Sequence, residues 1–242
     1  MKKVALCISG ESRHSMTAFP YLYDSFNNHD KESGYVIDVF YHTWKLNERV
    51  ISLWNPKSVI SESEDDAYQR CLKSVKIPID YYKDKDPHIS VSRVYNNLLM
   101  FYGIDRVISQ TKGGDYDYII RCRPDILLYE KINLIEIINS LDTSDTDIII
   151  PNPIMNYSPD GYQDQFAIGK REPMLIYGST YHNLTKIINE SGRWYAEEFL
   201  KKHLDNNKIK VSQKEIYFQL CRNSSIVVPH NNIPPIGKEY LK

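Results

Sequence analysis

Tyr116-Asp117-Tyr118-Ile119-Ile120-Arg121-Cys122-Arg123-Pro124-Asp125 carries most of the fold reading. Its Ile and Tyr content predicts a β-strand over 116–123, broken by Pro124. Arg121 and Arg123 lie one residue apart, so a pleated strand carries both on one face. Arginines in an otherwise apolar strand need partners if buried; a diphosphate or a neighbouring carboxylate would serve. Asp125, held at the strand end, has the hard oxygen chemistry that suits a divalent cation. A structural Arg–Asp pair is the plainer reading of the same residues.

On the amino-terminal side, Lys112-Gly113-Gly114-Asp115 is a turn. Before it, Val91, Val94, Tyr95, Leu98, Leu99 and Tyr102 recur at spacings of three and four, which predicts an amphipathic helix over 90–110. Further out, Val4-Ala5-Leu6-Cys7-Ile8 is an apolar run of strand length ending in Ser9-Gly10-Glu11-Ser12-Arg13. A helix over 14–27, strands over 36–41 and 58–60, and a short helix over 65–72 follow. Beyond Asp125, Ile126-Leu127-Leu128 reads as a short continuation of the strand. Then come a helix over 132–138, a strand over 147–151 and a strand-like run over 165–169. Helices are expected over 171–177, 181–189, 194–204 and 212–221, with a last strand at 226–228. Strands alternating with helices predict one α/β domain spanning residues 1–242, its mostly parallel central sheet flanked by helices. Ligands of such sheets bind beyond the carboxyl ends of the strands.

Composition narrows the function classes. The chain has 242 residues, 42% hydrophobic and 25% charged, with a formal net charge of −1. That balance argues against a nucleic-acid binder relying on a broad basic face. The run from Val4 to Ile8 is too short for a signal-peptide core or a membrane span, and no later stretch approaches the ~20 apolar residues of a span. The four cysteines, Cys7, Cys71, Cys122 and Cys221, show no CxxC spacing; they are expected as reduced core thiols in a cytoplasmic protein. The 19 tyrosines offer flat apolar faces with polar edges, which suit a sugar site and half-buried surfaces equally.

Four clusters can carry chemistry. Ser9, Gly10, Glu11 and Arg13 follow the first strand; Gly10 lets backbone approach a ligand and Arg13 can grip a phosphate, or the segment is a capped helix entry. Arg121, Arg123 and Asp125 form the second. Gly161-Tyr162-Gln163-Asp164-Gln165 places an acid before an apolar run, where it can act as a base on a hydroxyl or merely shape a turn. His230 follows Pro229 near the carboxyl end. Thr43 joins the candidate donor-binding set, with His42 and Trp44 lining a pocket or packing. Arg93, on the long helix, is a ligand group or a solvated ion pair.

The 116–125 string resembles the "YD-x-x-x-R-x-R-x-D" strand of glycosyltransferases from capsule and lipopolysaccharide gene clusters, the WavE-like proteins, with related sequences in large viruses. Asp164-Gln165-Phe166-Ala167-Ile168-Gly169-Lys170-Arg171-Glu172-Pro173-Met174 is similar to their "DQFAIG-x-R-E-x-M" segment. Ile8 to Arg13, Asp38 to Trp44 and Arg93 look similar too. The resemblance covers roughly residues 3–180. It implies a GT-A-like fold, a nucleotide-sugar donor, a glycan acceptor and a role in polysaccharide synthesis. Asp125 and His230 would hold Mn2+ or Mg2+, Gly161 would lie in a glycine loop with Tyr162 and Gln165 on the acceptor side, and Asp164 would be the catalytic carboxylate of an inverting transfer. The sequence departs from the GT-A D-x-D motif at Arg123, which stands in the first acid's place and can neutralise a diphosphate directly. The alternative is a non-catalytic nucleotide-sugar or glycan-binding protein on a degenerate transferase fold. A phosphate-ester hydrolase would need a dense Asp and His cluster that the sequence lacks. The Asn, Lys, Ile and Tyr richness fits an AT-rich bacterial or viral genome, and a viral source would place the protein in host cytoplasm. Oligomeric state has no sequence signal.

Overall fold

The structure is a computed structural model that describes residues 1–12, 15–26, 34–76, 90–152, 160–191 and 194–221. Arg13, His230 and the expected strand at 226–228 lie outside the described residues. The first half runs β1 (Lys2–Ser9), α1 (Ser15–Phe26), β2 (Tyr35–Thr43), α2 (Glu48–Trp54), β3 (Ser58–Ser61), α3 (Glu64–Ser74) and α4 (Val91–Ser109). Local chemistry sets the helix starts. The side chains of Asn47, Ser63 and Ser90 accept from Val50, Asp66 and Arg93 backbone N–H groups, capping α2, α3 and α4. Glu64, Asp65 and Asp66 in the first turn of α3 further suit the helix dipole.

The second half runs β4 (Tyr118–Cys122), β5 (Ile126–Leu128), α5 (Leu134–Thr143), β6 (Ile148–Pro151), β7 (Phe166–Lys170), α6 (Arg171–Gly178), α7 (Thr180–Ser191), α8 (Ala196–Asn206), β8 (Val211–Lys214) and β9 (Phe218–Leu220). Seven strands form the central sheet in the order β3-β2-β1-β4-β7-β6-β8. Neighbours are parallel except at β7, which runs antiparallel to both β4 and β6. The sheet is therefore mixed and mostly parallel, as expected.

Alternate strand residues feed two cores. Ala5, Cys7, Ile119 and Ala167 pack with side chains of α3, α4, α6, α7 and α8. Val4, Leu6, Ile8, Ile120, Cys122, Phe166 and Ile168 pack with α1, α2 and α5. Burying each large aliphatic side chain contributes roughly 1.5–3 kcal/mol, which holds the sheet between two helical layers. All four cysteines are free and buried. Burial pushes the Cys122 thiol up to about 12 and the Cys221 thiol up to about 11, so neither is an activated nucleophile.

Two expectations are corrected. Residues 212–221 do not form a helix: Val211–Lys214 pairs in parallel with Ile148–Pro151, and Phe218–Leu220 pairs antiparallel with Ile126–Leu128. Phe218 is buried there while Gln219 and Leu220 are half-buried, and the gain from sheet pairing outweighs a weak helical spacing. Ile126–Leu128 does not extend β4 either. It belongs to the separate two-stranded sheet with β9, which leaves Arg123, Pro124 and Asp125 as the corner between two sheets.

Candidate active site

Three parallel strands end side by side: β1 at Ser9, β2 at Thr43 and β4 at Cys122. The Gly10 N–H donates to the His42 carbonyl at 3.3 Å. Gly10 has φ +139°, a conformation L side chains rarely adopt, and a Cβ there would lie 3.2 Å from Pro124 Cδ. A glycine thus lets the loop after β1 approach the corner after β4. Ser12 Oγ and Thr43 Oγ1 are 3.2 Å apart, and Thr43 Oγ1 donates to the Lys45 carbonyl. Ser9, Gly10, Glu11 and Thr43 are therefore gathered beside Pro124.

Arg123 is the hub of the corner. Its Nε donates to Asp125 Oδ1 at 2.8 Å and its Nη2 to Oδ2 at 2.7 Å, a bidentate fork. Its backbone N–H donates to the Gln165 carbonyl at 3.2 Å, which ties the 161–165 loop to the end of β4. Burial opposes the guanidinium charge, but the Asp125 hydrogen bonds and the fields of Asp125, Asp164 and Glu11 outweigh it and raise its pKa.

Asp164 is buried, and its carbonyl accepts from the Tyr177 hydroxyl at 3.3 Å. The loop that carries it rests on the start of α8. The Tyr162 N–H donates to the Glu197 carbonyl at 3.0 Å. Burial, and then the field of Asp164, push the Glu197 carboxyl above its ordinary range, against the field of Arg93. The Arg93 guanidinium lies 5.6 Å from the Tyr195 ring centroid, and Lys201 Nζ 5.5 Å from that of Tyr162, both cation–π contacts.

Arg121 stands apart. It is 1% exposed, and its Nε and Nη1 have no hydrogen-bond partner. Its charge is felt at Tyr177, which also feels Asp164.

Of the two residues expected to hold Mn2+ or Mg2+, His230 lies outside the described residues and Asp125 is engaged by Arg123. Both Asp125 oxygens accept from Arg123, and the Asp125 side chain is 5% exposed against 25% for Arg123, so the guanidinium is the more exposed member of the pair. Among the described residues, no group of three or more His, Cys, Asp or Glu could hold a metal ion.

The same architecture occurs in a solved structure. The apo form of mouse xyloside xylosyltransferase 1 matches this chain with a TM-score of 0.50 and 11% sequence identity, over 88% of this chain and 84% of that one. The chain has a glycosyltransferase fold. No family model and no curated protein matches the sequence.

Within that fold, the structure brings together Ser9, Gly10, Glu11, Thr43, Arg123 and Asp125, and joins to them Gly161, Tyr162, Asp164 and Gln165. Arg93 is exposed and lies against Tyr195, with its field felt at Glu197. His42 is core rather than pocket lining: it is fully buried, its Nε2 lies 3.2 Å from Glu62 Oε1, and its ring packs edge-on to Trp44. Glu197 and Glu62 escaped the sequence reading. Glu197 carries no motif, only an acidic position in the first turn of α8. Glu62 is one of four acids in the short stretch after β3, and only the fold shows that it binds His42, Arg70, Arg106 and Tyr102.

Proposed function

We propose that residues 1–242 form a single nucleotide-sugar-dependent glycosyltransferase domain that transfers a sugar to a hydroxyl of a glycan acceptor with inversion. The observation that carries this reading is the hydrogen bond from the Arg123 N–H to the Gln165 carbonyl. It joins the strand end that carries the Arg123–Asp125 pair to the loop that bears Asp164, at the carboxyl edge of the sheet where α/β folds bind ligands.

In this reading the donor lies over Ser9, Gly10, Glu11, Arg13 and Thr43, with its diphosphate toward the end of β4. The acceptor enters over Gly161, Tyr162 and Gln165. Its hydroxyl oxygen attacks the anomeric carbon and bonds to it as the bond from that carbon to the diphosphate oxygen breaks. The electron pair of that bond leaves with the nucleoside diphosphate. Asp164 takes the hydroxyl proton, and the Arg123 guanidinium at the strand end meets the charge developing on the leaving group. No step in this reading runs through a cation. The expected setting is the cytoplasm; among the described residues, no helix is long and apolar enough to cross a membrane.

A thermal-shift panel of UDP-, GDP-, CDP-, ADP- and dTDP-sugars tests this. One nucleotide family is expected to raise the melting temperature by mass action, and slow release of free sugar from that donor should follow. No shift with any nucleotide sugar would overturn the reading. Binding without any release or transfer would favour a binding protein on a transferase fold.

A further inference from the structure

We infer that the site takes the diphosphate of its donor on guanidinium groups, Arg123 and the neighbouring strand residue Arg121, and does so without a divalent cation. This deepens the transferase reading and rests on it.

The first observation is Arg121. An arginine stays charged in any protein environment, and this one is enclosed in the layer shared by Ile119, Cys7 and Ala167. Its cross-strand neighbours, Cys7 and Ala167, bring no charge. The Tyr177 hydroxyl already donates its hydrogen to the Asp164 carbonyl. Two guanidinium nitrogens remain without acceptors. Such an arrangement opposes folding unless something else repays it. A ligand anion would supply both the missing charge and the missing acceptors, and a phosphate matches the planar fork of an arginine.

The second observation is the order of charges at the corner. In a metal site a carboxylate presents its oxygens to the cleft and the cation bridges them to the phosphates. Here both Asp125 oxygens point to Arg123, which is also the more exposed partner. The fields of Asp164 and Glu11 converge on the same guanidinium. Arg123 is thus a cation that the chain itself provides, held in place by Asp125. Of the pair, Arg123 is the member that an entering anion can reach. As the bond between sugar and diphosphate breaks, the negative charge grows next to a donor already in place, with no metal to recruit.

The test is calorimetric titration of the full chain with UDP, GDP, CDP, ADP and dTDP, in EDTA and in MnCl2. At least one diphosphate is expected to bind with a Kd that changes less than about threefold between the two conditions. Binding that disappears in EDTA and returns with Mn2+ overturns this inference and leaves the transferase reading standing. Failure of every nucleotide under both conditions overturns the transferase reading itself.

Two variants locate the contact. The double change Arg123→Gln with Asp125→Asn keeps the pair neutral and hydrogen-bonded, and is expected to weaken diphosphate binding in EDTA at least tenfold. Arg121→Met removes a buried charge that lacks acceptors. It is expected to melt higher than the parent without nucleotide, yet to bind the diphosphate more weakly. A purely structural arginine would give the opposite melting shift. An Arg121→Met protein that melts lower or does not fold therefore removes Arg121 from the proposal. Unchanged binding in the Arg123 and Asp125 double variant removes the rest.

Discussion

A Cβ built on Gly161 would lie 2.4 Å from the Cβ of Glu197, closer than side-chain carbons approach. The bare α-carbon lets the loop before β7 settle on the first turn of α8, and Asp164 is delivered by that loop three residues later. Gly161→Ala should push the loop off the helix. Overpacking of this kind costs ~1–3 kcal/mol, or about 2–4 °C in melting temperature per kcal/mol for a chain of this size. The larger effect is expected on turnover, where misplacement of a catalytic group by ~1 Å can cost about a hundredfold. A variant with normal turnover would show that the loop position does not matter to Asp164.

Asp164→Asn keeps the shape of the side chain and removes its ability to accept a proton. Transfer is expected to fall by roughly 10²–10⁴, while calorimetric affinity for the donor nucleotide stays as it was. Equal loss of binding and turnover would instead assign Asp164 to donor binding.

Glu62 accepts from Arg106 Nε at 2.9 Å and Arg70 Nη2 at 2.5 Å, with Tyr102 and His42 each at 3.2 Å. The His42 hydrogen bond, then the Arg106 hydrogen bond and charge, hold its carboxyl at about 2 despite burial. Burial also lowers the pKa of His42. Both groups release protons more readily when folded, so both contribute stability that is lost on acidification. For His42 the loss begins as pH falls below ~6.5, and for Glu62 below ~4.3 and on toward 2. The melting temperature should therefore decline through this window. Glu62→Gln should lower it at pH 7 by the equivalent of roughly 1–3 kcal/mol and flatten the decline below pH ~4.3. A variant with an unaltered acid limb would remove Glu62 as its source.

Glu197 has the opposite sign. Its carboxyl is raised by burial and by Asp164, so the folded state binds its proton more tightly than the unfolded chain does. Stability falls as pH rises from ~4.3 through the folded value, and the penalty is complete above it. Glu197→Gln removes the ionisation. The variant should melt close to the parent at pH 4 and above it at pH 8. A difference that is the same at both pH values would show that Glu197 does not titrate in this window.

Much of the architecture is legible from local pattern. The apolar run Val4 to Ile8 becomes β1, the three-and-four spacing from Val91 to Tyr102 becomes α4, and Tyr118 to Cys122 becomes β4. These signals are local because side chains repeat every 2 residues in a strand and every 3.6 in a helix. The grouping of Gly10 and Arg123 is also foreseeable, since each follows a strand whose end faces the ligand edge, whereas Asp164 joins them only because β7 runs antiparallel. Pairing across the sheet is a long-range matter. Nothing near residues 211–220 announces that β8 will lie beside β6 and β9 beside β5, and a short half-polar segment has no strong period of its own. Nor does the sequence show how Arg123 orients. Its fork closes on Asp125 because Pro124 and the separate β5 turn the chain back at that point, and a conformation of three residues between two sheets has no one-dimensional signature. Glu197 and Glu62 acquire partners from segments far away in the chain, and their shifted acidities exist only because the fold removes water and gathers charge around them.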